Sequence, residues 1–375
     1  MRISLLEERE DFDNILKKTL KESSFFKNCK GEKEEKYFVN KYLNFIASNS
    51  LSKETFQTLI NEYSSSLTWW KKGLQSVYVK LAISKFFRSF FAQRNMMLSK
   101  DFKDYLILGG NHRLRLFYGE LKDSIVILKS GENPKFIKND IAIRKENDLT
   151  YAPKIFDSGV DWLREEYFNG IPLNRLENKE RIGELVNQII KNHSEQLLFP
   201  NSKSIPLKEY IQFIQKDISA LINNKRLNIN GGVVILIHEV CNLLFEKLSN
   251  DNVEVSWSHG DFQAANILVS DKYYKVIDWE ASNKRFYLYD VFVLTSEIRS
   301  GIALTDAIEN LKKVNDKIDR VNSKRQDEIT LLLIEELRFH INEEFSENFY
   351  SSGKKTEKLC HSIITYIHER KSNTD

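Results

Sequence analysis

Three side chains with hard oxygen donors crowd one short stretch, residues 258–280, SHGDFQAANILVSDKYYKVIDWE: Asp261, Asn266 and Asp278. The apolar runs 267–269 and 273–277 flank the polar turn Ser270-Asp271-Lys272, a pattern that predicts an antiparallel hairpin. Folding the chain back there sets Asn266, just before the first strand, beside Asp278, just after the second. Two such oxygens suit Mg²⁺, a hard cation that takes few protein ligands and completes its shell with phosphate oxygens and water. Asp261 precedes Asn266 by five residues, far enough to sit across the loop and face whatever receives a metal-bound phosphate. The plainer reading, that all three only cap turns, leaves their ordered spacing without a reason.

His259-Gly260-Asp261-Phe-Gln-Ala-Ala-Asn266 followed by Ile277-Asp278-Trp279-Glu280 resembles the catalytic and metal-binding motifs of the aminoglycoside phosphotransferase and choline kinase group, small-molecule kinases with a protein-kinase-like fold. The resemblance implies that Asp261 accepts or orients the proton of an acceptor hydroxyl and that His259 braces the loop. It further implies that Asn266 and Asp278 hold Mg²⁺ on the phosphates of ATP, or of GTP. Glu280 and Asp290 match further positions of the family, Asp290 as a carboxylate that hydrogen-bonds the catalytic loop from below. The resemblance is specific over residues 105–295 and absent before them.

Upstream, runs 105–108, 114–118 and 124–129 predict three short strands, with Gly109-Gly110 at the first turn. In the family a turn here covers the nucleotide phosphates, and glycine lets the backbone come close to an anion. This chain departs from the family in lacking a full GxGxxG, so a plain hairpin is the competing reading. By the same resemblance Lys129 is the strand lysine that reaches the α and β phosphates. Its acidic partner is Asp140, with Glu146 as runner-up. Residues 166–170, including Glu166 and Phe168, match the hinge where backbone groups meet adenine.

At 375 residues the chain suits two or three packed units, and 41% hydrophobic with 29% charged residues describes a soluble globular protein. Fifty-six basic against 53 acidic residues give +3, which excludes the polyelectrolyte character of a nucleic-acid binder. Cys29, Cys241 and Cys360 stand in no metal-ligand spacing, and with no apolar leader or membrane span in sight the expectation is a cytoplasmic protein. His193 and His238 fall in helical patterns without a paired ligand and read as packed or surface histidines.

The first hundred residues read as helices, over 5–20, 33–47 and 53–95, with no proline before Pro134. Within 67–95, Trp70, Leu74, Val77, Leu81 and the pairs Phe86-Phe87 and Phe90-Phe91 mix with Lys71, Lys72, Lys80, Lys85, Arg88 and Arg94. The favoured reading is an aromatic face packed on the body of the protein. The second is a peripheral membrane contact through residues 67–95. The expected fold is α+β: a protein-kinase-like two-lobed fold with an added helical N-terminal region over 1–100, a sheet lobe over 101–170 and a mostly helical lobe over 171–375. The expected activity is phosphoryl transfer to a hydroxyl of a small molecule. Since bacterial relatives with HGDF and DWE motifs include kinases of cell-surface glycan building blocks, a sugar or polyol comes first, and a choline or aminoglycoside acceptor is the alternative. A catalytically silent kinase-fold scaffold is the reading from another class.

Overall fold

The computed structural model describes residues 12–27, 33–56, 60, 69–84, 86–110, 112–119, 122–222, 230–249, 251–271, 273–315, 325–345 and 353–372. Two units divide the chain, residues 1–183 with 265–277 and residues 184–264 with 278–375. In the first, α1 (Phe12–Glu22) precedes β1 (Glu34–Asn40) and β2 (Phe45–Ser48), and α2 (Trp69–Ile83) precedes β3 (Arg94–Ser99). Then come β4 (Tyr105–Gly109), β5 (Arg113–Tyr118), β6 (Asp123–Leu128), α3 (Lys135–Glu146), β7 (Ile155–Ser158), β8 (Trp162–Glu166) and β9 (Ile171–Pro172). The first eight strands form one sheet in the order β3-β1-β2-β4-β5-β6-β8-β7, antiparallel at every pairing.

Both faces of this sheet are covered, and side-chain alternation decides which residue meets which helix. Tyr37, Val39, Ile107, Leu116 and Ile127 pack with Leu16 and Leu20 of α1. Their neighbours Phe45, Ala47, Leu106 and Phe117 pack with Val79, Ala82 and Ile83 of α2, while Val126 and Leu128 pack with Phe136 and Ile137 of α3.

The N-terminal region is therefore not a helical addition. Residues 33–47, expected as helix, form β1 and β2, and 94–99 form β3. A strand buried on both faces is apolar in consecutive positions, as in Tyr37-Phe38-Val39 and Phe45-Ile46-Ala47, so its period of two is hidden and a helical pattern fits equally well. Helix is found at α1 and α2; the remainder of 5–20 and part of 53–68 lie outside the described residues. The packed reading of the aromatic stripe holds for Phe91, which packs with Val79, Ala82 and Ile83 of α2. Leu74, Val77, Phe86, Phe87 and Phe90 are exposed, Phe86 at 91% and Phe90 at 83%. Arg88 is drawn inward instead: its guanidinium donates to the Ser48 and Ile83 carbonyls and lies 4.4 Å from the Phe56 ring centroid. Burial pulls its pKa down to about 10.

Helix α4 (Lys179–His193) leads into the second unit, with β10 (Lys203–Pro206), α5 (Leu207–Ile222), α6 (Gly231–Phe245) and β11 (Asn252–Ser258). Strands β12 (Ile267–Val269) and β13 (Tyr274–Val276) then form a hairpin that pairs with β9 in the first unit. The second unit closes with β14 (Asn283–Phe286), α7 (Tyr289–Ser296), α8 (Leu304–Asn315), α9 (Arg325–Glu344) and α10 (Lys354–Ser372). Its sheet runs β10-β11-β14, and α5 to α10 bury a core around it. Cys241 and Cys360 are free thiols in that core, each pushed up to about 12 by burial. No helix among the described residues is long and apolar enough to cross a membrane.

Candidate functional site

Strand β11 ends at Ser258, and the next three residues turn sharply around Asp290 at the start of α7. The His259 and Gly260 amides donate to the Asp290 carboxylate at 2.7 and 3.0 Å, and the Ser258 hydroxyl donates at 2.7 Å. Gly260 is required there. Its φ is +83°, and a Cβ would stand 2.2 Å from the Ala281 carbonyl oxygen. His193, at the end of α4, donates from Nε2 to the same carboxylate at 2.8 Å and stacks on Phe262 at 4.1 Å. Burial by itself would raise the Asp290 carboxyl, but the hydrogen bond and charge of His193 and the Ser258 hydroxyl hold it well below the usual carboxylate range.

His259 is fully buried, edge-on to Trp279 with ring centroids 4.6 Å apart, and its Nδ1 accepts the Asp261 amide at 3.2 Å. An accepting Nδ1 leaves the ring proton on Nε2. The Asp261 carboxylate accepts from Gln263 Nε2 at 3.0 Å on each oxygen and from Arg299 Nη1. Arg299 follows α7, and the motif gives no hint of it. Its guanidinium also donates to Glu336 and to the Gly260 carbonyl, meets the Tyr289 hydroxyl at 2.7 Å, and lies 3.6 Å from the Phe339 ring centroid. Burial works against its charge, but Glu336, Tyr289 and Asp261 together hold it firmly protonated. Asp261 is thus a partly exposed carboxylate held by three hydrogen bonds from two side chains, of which Arg299 rests on the buried Glu336 and Tyr289.

The hairpin forms with Ile267 opposite Val276, and the Ile277 amide donates to the Asn266 carbonyl at 2.9 Å. Asp278, next in the chain, has φ 68° and ψ 58°, the left-handed region that costs a non-glycine residue on the order of 1 kcal/mol or more. Strain at a short carboxylate in such a turn marks a constraint on where the group points. Among the described residues no cluster of three or more His, Cys, Asp or Glu could hold a metal ion.

In the first unit Gly109 closes β4 and Gly110 makes the turn, its amide donating to the Arg113 carbonyl at 2.9 Å; a Cβ there would come within 2.8 Å of that oxygen. Lys129 follows β6, is buried, and donates from Nζ to the Gly110 carbonyl. Asp140 does not serve as the simple lysine partner expected. One carboxylate oxygen takes Arg113 at 2.5 Å and the other takes Arg144 at 2.6 Å, and Arg144 also bridges to Glu165. Glu146, the runner-up, is exposed at the end of α3. The acid close to Lys129 in sequence is Glu132, buried and 3.0 Å from His112 Nδ1. Glu166 closes β8 with its carboxylate 3.3 Å from Lys275 Nζ, and the Phe168 ring lies against Gly170. His238 lies in the middle of α6.

Solved structures similar to this chain are kinases of small molecules. Choline kinase from Cryptosporidium parvum Iowa II aligns at 14% identity over 72% of this chain and 90% of its own, with a TM-score of 0.44. A thermostable mutant of aminoglycoside phosphotransferase APH(4)-Ia, in ternary complex with AMP-PNP and hygromycin B, gives 14%, 70%, 93% and 0.47, and Plasmodium vivax ethanolamine kinase gives 16%, 82%, 92% and 0.45. No family model matches the sequence. No curated protein matches it either.

Proposed function

We propose that the protein is a small-molecule kinase that moves the γ-phosphoryl of ATP, or of GTP, to a hydroxyl of a small acceptor. The observation that carries this reading is the rigid presentation of Asp261: the turn before it is clamped on Asp290, and Gln263 and Arg299 fix its carboxylate. Phosphoryl transfer asks little covalent chemistry of a protein and much positioning and charge. Asp261 would orient the acceptor hydroxyl and take its proton, with His259 holding the loop that carries it. Lys129 would turn its ammonium from the Gly110 carbonyl to the α and β phosphates, beside the Gly109-Gly110 turn, and the backbone around Glu166 and Phe168 would meet the base. Asn266 and Asp278 are the oxygen donors that would hold Mg²⁺, which when bound neutralises phosphate charge.

A sugar or polyol is the first acceptor class, on the resemblance of the HGDF and DWE motifs. The test is ADP release across a panel of sugars, polyols, choline, ethanolamine and aminoglycosides, with Asp261→Asn alongside. One acceptor should stand out, and Asp261→Asn should lose about two to four orders of magnitude in turnover while still binding nucleotide. No ADP release with any acceptor, together with no nucleotide-induced rise in melting temperature, would leave the scaffold reading standing.

A further inference from the structure

A cavity of about 280 Å³ opens in the second unit where α5 meets β10 and β11, and none of its lining residues belongs to the set assigned above. Its floor includes Tyr210 and Ser256, whose hydroxyls are already committed, to Glu335 and to the Leu198 carbonyl. Its walls carry the rings of Trp257, half-buried, and Phe213, 43% exposed. At the rim stand the exposed Lys203, Lys284 and Glu209, with Lys284 Nζ 5.7 Å from the Trp257 ring centroid.

Behind these residues lies Arg338, its side chain fully buried. It touches the lining at two points: the guanidinium is 4.7 Å from the Phe213 ring centroid, and Nη1 donates to the Lys284 carbonyl at 3.1 Å. Its Nε donates to Asp217 at 2.7 Å, and Nη1 also reaches Glu335 at 3.2 Å. Nη2, equally buried, has no hydrogen-bond partner among the described residues.

We propose that this cavity binds a single sugar ring carrying an anionic group, a sugar phosphate or a sugar acid. The volume admits one ring and not a whole nucleotide. The C–H face of a pyranose stacks on Trp257 and Phe213. The anion meets Lys203 and Lys284, and Glu209 accepts from ring hydroxyls. A neutral sugar would leave the lysines unused, and a small inorganic anion would leave the rings uncovered. Strand β11 runs from Ser256 and Trp257 straight into the Ser258–Asp261 turn, so a ligand here has a short covalent route to the candidate catalytic loop. Binding itself does not depend on the kinase reading.

Titration calorimetry on the full chain with glucose 6-phosphate, glucuronate, glucose and inorganic phosphate tests the proposal. The two charged sugars should bind more tightly than glucose or phosphate alone. The double substitution Lys203→Gln, Lys284→Gln alters only exposed side chains, so melting temperature should hold while affinity for both charged sugars falls by about tenfold or more. Trp257→Leu should weaken glucose 6-phosphate and leave any phosphate binding unchanged. Equal affinity in wild type and the lysine variant would overturn the proposal. So would phosphate binding as tightly as the phosphosugar, or binding lost in Asp261→Asn but kept in the lysine variant, which would put the sugar at the acceptor position.

Discussion

His193 Nε2 lies 2.8 Å from Asp290 Oδ2, and neither side chain reaches solvent. Ninety-seven residues apart in sequence, they tie the end of α4 to the start of α7, and the same carboxylate carries the Ser258–Gly260 turn. The Asp290 pKa is depressed in the folded state, so its contribution to stability is fully present above the unfolded value near 4 and is lost as pH falls below it. The melting temperature should therefore drop steeply between about pH 4 and pH 2. Asp290→Asn should start lower by about 2–4 kcal/mol and lose less over the same interval, because a buried charge partner has gone and nothing replaces its titration. Parallel pH–stability curves for the two proteins would remove Asp290 from this role.

Arg299 stands between two carboxylates, the partly exposed Asp261 and the buried Glu336. Arg299→Gln leaves Glu336 buried without that cation and should cost about 3–5 kcal/mol in urea unfolding. Arg299→Lys keeps the charge but loses the planar fork, so it should cost less and still reduce turnover while the nucleotide-induced shift in melting temperature stays as in wild type. Stability of Arg299→Gln within about 0.5 kcal/mol of wild type would show that the network contributes nothing.

What the sequence made legible was local. The hairpin between Asn266 and Asp278 is a short-range feature, and turn chemistry and strand period act over that range. Asp290 was legible through its motif. His193 and Arg299 were not: each reaches the loop through tertiary packing, from 97 and 38 residues away from its partner, and no spacing rule links them. Asp140 was expected as the acidic partner of Lys129, but Arg113 and Arg144 claim its oxygens, and choosing between a lysine and two guanidiniums needs coordinates. The strands at 34–40 and 45–48 were hidden for another reason: a sheet covered on both faces erases the alternation that would reveal it.

The left-handed backbone of Asp278 separates its folding role from its chemical one. Asp278→Gly removes the strain at the cost of a freer unfolded chain, so the unliganded protein should stay within about 1 kcal/mol of wild type. It should nonetheless lose the Mg²⁺-dependent part of nucleotide stabilisation, and Asn266→Ala should weaken it, since the amide would be a ligand without charge. Thermal shifts with ATP, with and without Mg²⁺, measure both. An unchanged Mg²⁺ dependence in Asp278→Gly would dismiss this aspartate as a metal ligand.

Removing residues 1–100 should be far more damaging than trimming an appended helical region would be. The deletion takes α1, α2 and strands β1, β2 and β3, three of the eight in the large sheet, and leaves β4 as an unpaired edge. It also uncovers Ile107, Leu114, Leu116, Ile125 and Ile127 on one face and Leu106 and Phe117 on the other. A long apolar edge and two bared faces predict an aggregating product. Substituting the exposed Phe86 and Phe90 by Ser makes the contrast, because neither side chain is buried and stability should change by no more than about 0.5 kcal/mol. Sedimentation with anionic vesicles, run on wild type and on this double variant, tests the membrane reading at the same residues; salt-sensitive binding of wild type that the variant loses would establish it. A soluble, monomeric truncation with native-like melting would instead show that residues 101–375 fold without the three strands, and that the sheet needs neither β1 nor β2 to close its core.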